Sequence, residues 1–299
     1  MVPLAKNTQS KMLDEAEQRK HLGDRLRIKN NYSILTELEQ YFYNQCMRRR
    51  ISVSYDCTAG EPLYFKTLNY TTYAGLFYMH PLQPEMASYQ ISAAMAHTGP
   101  IVDFEGFVLD SYKSKTANKY DFASRSSFKE SCSELVVLPG TNKLQSNVCL
   151  NKLIWIAKKY PNAVFKPHPL THESVIAELK ARLPDGAKIA PYDADVYELM
   201  DQADIVFTSH MSESALYAVL LGKQVEPIDV FQERAIGSFA ALNYHLFMGQ
   251  GKGWVNKTFS SPFSGIVHPD LDEDWKQKID EYLDYILNLR ERVKTHYIT

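Results

Sequence analysis

The sequence predicts an α/β protein of two domains, with parallel sheets flanked by helices, on three observations. From residue 134 onward, short apolar runs alternate with amphipathic segments at the spacing of βαβ units. Each run ends in a turn rich in Gly, Pro, Ser or Thr, the composition that releases a strand into a helix. The 299 residues are enough for two domains of ordinary size. Residues 111–131, rich in Ser, Lys, Thr and Asn, supply the boundary, which gives a first domain at 1–130, with a return of the C-terminal helix to it left open, and a second at 131–299.

Bulk properties set the class. An apolar share of 45% and a charged share of 23% are those of a soluble globular chain. No apolar run approaches the roughly 18 residues of a membrane helix, and the N-terminus lacks the apolar core of a signal peptide. Cys46, Cys57, Cys132 and Cys149 show neither CxxC nor Cys/His metal spacing, so they read as plain thiols in the cytoplasm. The net charge of −2 declares no nucleic-acid partner. Residues 1–130 are mildly basic at +2, with clusters at Arg19-Lys20, Arg25/Arg27/Lys29 and Arg48-Arg49-Arg50. A solvated helix face explains those clusters as well as a phosphate-tracking surface does.

In chain order, residues 1–30 read as an arm or surface helix. The spacing of Ile34, Leu35, Leu38, Tyr41, Phe42 and Cys46 predicts a helix ending at the three arginines. Ile51–Tyr55 alternates like a strand, and residues 56–80 resist assignment. A helix is expected over Glu85–Ala96, and a strand over 100–109 broken at Gly106. The second half runs a strand from Glu134 that enters the Gly140-Thr-Asn turn, helix 144–160, strand 163–166, helix 171–182 and strand 187–190. A helix at 196–201 capped by Asp195, strand 205–208, helix 213–221 stopped by Gly222, and strand 224–228 follow. From Asp270 an amphipathic helix carries acids first and bases last, the order that suits the helix dipole.

Because parallel crossovers are right-handed, every strand-to-helix turn falls along one sheet edge, where ligands bind. Gly140-Thr141-Asn142, Lys166-Pro167-His168-Pro169 and the Thr208-Ser209…Ser212-Glu213 turn therefore converge. The last is either an ordinary N-cap or an anion site made of helix-terminal N–H groups. The prolines flanking His168 restrict its backbone, directing an imidazole and the Lys166 ammonium toward a leaving phosphate. Asp103 and Glu105, ahead of or beside Gly106, are candidate bases for a hydroxyl proton, with Asp110 a weaker substitute; alternatively they are turn carboxylates. Asp193-Ala-Asp195 spells a DxD metal motif but precedes a helix, where Asp195 caps. Asp272-Glu-Asp274 likewise reads as acids at a helix start. His168 and His172 lack the further ligands of a metal site. No GxGxxG, GxxxxGK[ST], HExxH or GxSxG occurs.

Residues 134–230 resemble the C-terminal domain of two-domain, GT-B type glycosyltransferases, closest to bacterial sialyl-, polysialyl- and capsule Kdo-transferases. The resemblance rests on Lys166–Pro169, on Thr208-Ser209 with Ser212, and on Ala215-Leu216 through Gly222-Lys223. It implies two Rossmann-like domains facing a cleft. The donor phosphate would be held by His168, Ser209 and Ser212, and the ribose by Glu213. It also implies a base in an acidic-acidic-Gly motif, from which Asp103-Phe104-Glu105-Gly106 departs by the intervening Phe104. The expected activity is metal-independent, inverting sugar transfer from a nucleotide-sugar substrate, with no cofactor. The acceptor is a glycan hydroxyl or, as in phage enzymes of similar type, hydroxymethylcytosine in DNA, in a bacterial or phage-infected cytoplasm. A sugar-nucleotide epimerase or a non-catalytic nucleotide-sugar binding protein is the alternative.

Overall fold

A computed structural model describes residues 20, 22–28, 35–55, 67–115, 119–140, 144, 148–229 and 239–297. A 3₁₀ turn at Gly23–Arg25 leads into β1 (Leu26–Ile28). In α1 (Thr36–Arg48), Leu38, Phe42, Gln45 and Cys46 lie inward at helical spacing. β2 (Ser52–Tyr55), β3 (Thr67–Tyr73) and β4 (Leu76–Pro81) follow. α2 (Pro84–Met95) begins on a proline, at the position where a missing N–H costs nothing. α3 (Phe104–Lys113) is capped by Asp103, whose carboxylate accepts from the Gly106 N–H at 2.9 Å. β5 (Tyr120–Phe122) and β6 (Glu134–Val137) come next, then α4 (Leu150–Lys159), β7 (Val164–Lys166) and α5 (Glu173–Arg182). β8 (Lys188–Ile189), α6 (Val196–Gln202), β9 (Ile205–Thr208), α7 (Ser214–Leu220) and β10 (Gln224–Pro227) complete this run. The chain ends in α8 (Ala240–Phe247), α9 (Trp254–Ser260), β11 (Ile266–Val267) and α10 (Trp275–Tyr297).

These elements form two units, Met1–Lys29 with Asn118–Val230, and Asn30–Ala117 with Phe231–Thr299. The second half of the chain is thus shared between the units: residues 231–299, with the C-terminal helix whose return was left open, join residues 30–117. The unit boundary does fall close to the polar 111–131 stretch, but that stretch also contributes β5.

The first unit holds a five-stranded, wholly parallel sheet in the order β10-β9-β6-β7-β8. On one face, Val136, Phe165 and Phe207 pack against Leu153 and Ile156 of α4 and Val175 and Leu179 of α5. Their strand neighbours Leu135, Val164 and Val206, turned to the other face by the pleat, are also fully buried. α6 and α7 pack against β6, β9 and β10. Burial on both faces explains why these strands read as continuous apolar runs. β1 and β5 add a separate antiparallel ribbon that packs Leu22 and Leu26 on Leu170, with Tyr120, Phe122 and Tyr192 around them.

The second unit corrects the expectation of a second parallel sheet. Its four-stranded sheet runs β11-β4-β3-β2, with β11–β4 and β4–β3 antiparallel and β3–β2 parallel. β3 and β4 are joined by Ala74-Gly75, too short for any crossover, and both residues have positive φ, 54° and 83°. The strand predicted at 100–109 is also overturned. Asp103 caps a helix there, and residues 104–113 follow a helical path with Phe104, Val108 and Tyr112 buried at spacings of four. α1, β3, β4, α2 and α10 share one core, in which Phe42, Phe77, Met79, Ile279, Tyr282 and Leu283 are fully buried. Among the described residues, no helix is long and apolar enough to cross a membrane.

Gly265 shows how tightly β11 meets β4. Its φ is +71°, and a Cβ there would lie 2.1 Å from the Met79 carbonyl oxygen. Gly265→Ala is expected to cost about 1–3 kcal/mol from backbone strain alone, before the carbonyl moves. Urea denaturation reads the loss, and an unchanged midpoint would contradict the close approach.

Candidate functional site

The ends of the parallel strands bring the sequence-predicted residues of the first unit to one edge. The ladder continues past the strands there: Leu138 N donates to Lys166 O at 3.0 Å, Ala190 N to Phe165 O at 2.9 Å and Ile228 N to Thr208 O at 3.0 Å. Chain order runs β6, β7, β8 in one direction, then returns to place β9 and β10 on the other side of β6. The loops after β6 and β9 therefore depart in opposite directions, and the crevice between them is where doubly wound sheets bind ligands. Gly140 follows β6, with its carbonyl accepting from Leu144 N at 2.8 Å. Thr141 and Asn142 lie outside the described residues.

The β9–α7 turn is organised differently from the expected phosphate site. Ser209 is fully buried, and its hydroxyl makes a short hydrogen bond to Asp229 Oδ2 while accepting from Met211 N at 3.1 Å. The other carboxylate oxygen of Asp229 accepts from His210 N at 3.1 Å and lies 2.7 Å from His210 Nδ1. The chain's own carboxylate thus takes the Ser209 hydroxyl and the His210 N–H that an incoming anion would use. Ser212, by contrast, bonds within its own turn to Ser214, whose hydroxyl also meets Thr208 Oγ1 at 3.3 Å. Glu213 stands at the N-cap position of α7 and makes no side-chain cap there. Its carboxylate, after burial and ahead of Asp195, helps hold the Tyr197 phenol well above its ordinary range.

Around the Lys166–Pro169 loop the two basic side chains have separate surroundings. Lys166 is buried, and its Nζ donates to Pro167 O at 2.7 Å and Tyr192 O at 2.8 Å. It ties the loop after β7 to the loop after β8. Burial pushes its ammonium down to about 7; Asp193 and Asp195 oppose that shift, and Arg125 adds to it. His168 is partly exposed, its Nδ1 accepts from Leu170 N at 3.1 Å, and the Tyr120 ring meets it edge-on at 5.0 Å. A neutral His168 therefore carries its proton on Nε2.

The DxD acids have structural partners. Asp195 caps α6 through Tyr197 N at 2.9 Å and faces Arg125 at 3.8 Å, while Asp193 accepts from Ser126 N and Oγ. Among the described residues, no group of three or more metal-ligating side chains comes together. Asp103 and Glu105 belong to the second unit. Beyond capping α3, Asp103 accepts from Asn256 Nδ2 at 3.2 Å; the Glu105 carboxylate makes a short bond to Gly253 N, and its own N–H donates to Asn256 Oδ1 at 2.7 Å. Both candidate bases thus fasten α3 to the start of α9.

Compared with known proteins, the chain matches no family model and no curated sequence. The site is therefore argued on its own geometry. Sequence reading missed His210 and Asp229. A histidine directly after Ser209 and a carboxylate two residues after β10 were the available signals, and both stand close to strand ends.

Lys166 gives the pH dependence a definite sign. Folded, it loses its proton near 7; unfolded, near its ordinary 10.5. Between those values the unfolded chain binds more protons, so folding stability rises with pH. The denaturation midpoint is expected to climb from pH 7 to 9, and Lys166→Met is expected to flatten that climb. Above 9 the buried Cys46 and Cys132 thiols, each held up to about 12, pull the other way. Parallel curves for the two proteins would remove Lys166 as the cause.

Proposed function

We propose that this protein transfers a sugar from a nucleotide-sugar donor to an acceptor hydroxyl, with the donor lying on the sheet edge of the first unit. The observation that carries the proposal is the strand order. Its reversal between β6 and β9 opens a crevice flanked by the Gly140 loop and the Ser209–Glu213 turn, with His168 on the same edge. The Lys-Pro-His-Pro and Ser/Thr motifs stand there in the order of the GT-B type donor domain they resemble. The reading keeps that donor domain and gives up a second Rossmann-like one, since the sheet of the second unit is mixed.

Each side chain then has a physical task. The Nε2–H of His168 donates to the leaving phosphate as its bond to the anomeric carbon breaks. Lys166 acts one step removed, fixing the loop that aims His168, because both of its bonds go to backbone carbonyls. Ser212 and the N–H groups near Glu213 supply further donors once the Ser212–Ser214 bond opens. Ser209 serves the turn rather than the phosphate.

A second reading, a nucleotide-sugar binding protein without transfer, has one observation in its favour: Asp103 and Glu105 are both engaged in fastening α3. Incubation with CMP-, UDP- and GDP-sugars separates the two, using glycan and hydroxymethylcytosine-containing DNA acceptors. Transfer or hydrolysis supports the enzyme, and bound intact donor supports the binder. An isomerised sugar would point to an epimerase. The matching nucleotide is expected to raise Tm, by an amount equivalent to about 2.7 kcal/mol at a hundredfold excess over Kd. With the active donor, His168→Ala is expected to lower turnover by roughly ten- to a thousandfold, the range for losing one charge-stabilising donor. Unchanged turnover would remove His168 from the mechanism.

A further inference from the structure

We propose that Arg125 binds the phosphate of the nucleotide-sugar donor; the inference rests on the donor reading above and adds a residue that none of the sequence motifs contains. A departing phosphate needs a positive charge that persists, and the groups first expected to meet it are engaged. Asp229 accepts from the Ser209 hydroxyl and from the His210 N–H. Lys166 donates to two backbone carbonyls, and burial lets its proton go near 7. A guanidinium stays charged at every pH the fold tolerates.

The ribbon of β1 and β5 places Arg125 at the strand-end edge. Its residues lie along the loops that leave the parallel strands. Tyr120 meets the His168 ring edge-on at 5.0 Å, after β7, and Phe122 packs on Tyr192 at 6.1 Å, after β8. Ser126 then donates to Asp193 through its N–H at 3.2 Å and its hydroxyl at 2.9 Å. Arg125, between Phe122 and Ser126 in the chain, is held over the Phe122 ring at 5.9 Å. The buried Tyr197 phenol feels Glu213, Asp195 and Arg125 together. That shared neighbour brings the guanidinium within electrostatic reach of the β9–α7 turn, one side of the crevice.

The guanidinium keeps capacity for a ligand. Its side chain is 28% exposed, so solvent reaches it. Among the described residues its one hydrogen bond goes from Nη2 to Tyr120 O, at a long 3.3 Å. Nη1 stands 3.8 Å from Asp195 Oδ2, an ion-pair distance beyond hydrogen bonding. Asp195 does not depend on it, because the same carboxylate caps α6 through Tyr197 N at 2.9 Å. Asp193 and Asp195 oppose an anion here, so a phosphate must win through geometry. It does so by taking two parallel N–H bonds from a planar fork, a closer and stronger contact than the loose pair with Asp195.

The test is binding, without any turnover. CMP, UDP and GDP are titrated into the wild-type and Arg125→Gln proteins, with cytidine, uridine and guanosine as phosphate-free partners. Affinity for the nucleotide that binds is expected to fall roughly ten- to a hundredfold in Arg125→Gln, while nucleoside affinity holds. Inorganic pyrophosphate gives the same comparison without a nucleoside. It is expected to displace the nucleotide from the wild-type protein and to lose that ability to a similar extent against the variant. Arg125→Lys keeps the charge and the pairing with Asp195 but not the fork, so it also tests the proposal should Arg125→Gln fail to fold. Its nucleotide affinity is expected to fall severalfold, with nucleoside affinity again unchanged. A role confined to holding the ribbon predicts equal losses for nucleotide and nucleoside, and that result would overturn the proposal. Undiminished nucleotide affinity in the variants would overturn it too and leave the donor reading intact. A wild-type protein that binds none of the three nucleotides would overturn both.

Discussion

Right-handed crossover connections constrain everything on the edge of the parallel sheet where its strands end. A strand that feeds a helix and then a parallel neighbour can turn back on only one side, so β6, β7 and β8 advance with their helices on a single face. To cover the other face, the chain must return to β6 and wind outward again through β9 and β10. That reversal is a consequence of burying both faces of one sheet, and it leaves two adjacent strand ends whose loops diverge. The crevice is therefore a by-product of core formation. The polar residues along it do not have to open a cavity at the cost of packing.

Charge along this edge is handled mainly by internal pairing. Lys166 is held by two carbonyls, Asp195 by a helix start and Arg125, Asp193 by Ser126, and Asp229 by Ser209 and His210. Buried charges without partners are costly, so a site built from them must supply its own counterparts. The consequence is an edge whose donors and acceptors are oriented before any ligand arrives. Preorganisation of that kind is what electrostatic stabilisation of a departing phosphate requires.

Legibility in the sequence followed the physics of burial. The strands of the first unit are enclosed on both faces and read as apolar runs, so Leu135–Val137, Val164–Phe165 and Ile205–Phe207 are plain from the residues. Gly222 at φ +76° and Asp195 at the start of α6 obey cap chemistry that is local to a few residues. The β3–β4 hairpin was hidden because Ala74-Gly75 is not an Asn-Gly signal, and Thr-Leu-Asn-Tyr-Thr-Thr-Tyr mixes polar and aromatic residues. At Ile101–Phe107 the apolar alternation imitated a strand, and the Asp103 cap decided otherwise. The Ser209–Asp229 and His210–Asp229 pairs span 20 and 19 residues, and no short-range pattern announces such a contact. Strand ends alone therefore place Gly140, Lys166, His168 and Ser209 along one sheet edge, while the partners of these residues had to be seen.

The second unit gathers Asn30–Ala117 and Phe231–Thr299, segments separated by most of the first unit. Its core needs Ile279, Tyr282 and Leu283 of α10 against Phe42, Phe77 and Met79. During synthesis, the parallel sheet of the first unit leaves the ribosome whole while the hairpin of the second still waits for its long helix. The apolar face of α1 and β4 is then bare for as long as the intervening residues take to emerge, a matter of roughly ten seconds or more at about 5–20 residues per second. Chaperone dependence and the damage done by premature termination thus concentrate on this unit, although the candidate chemistry resides in the other.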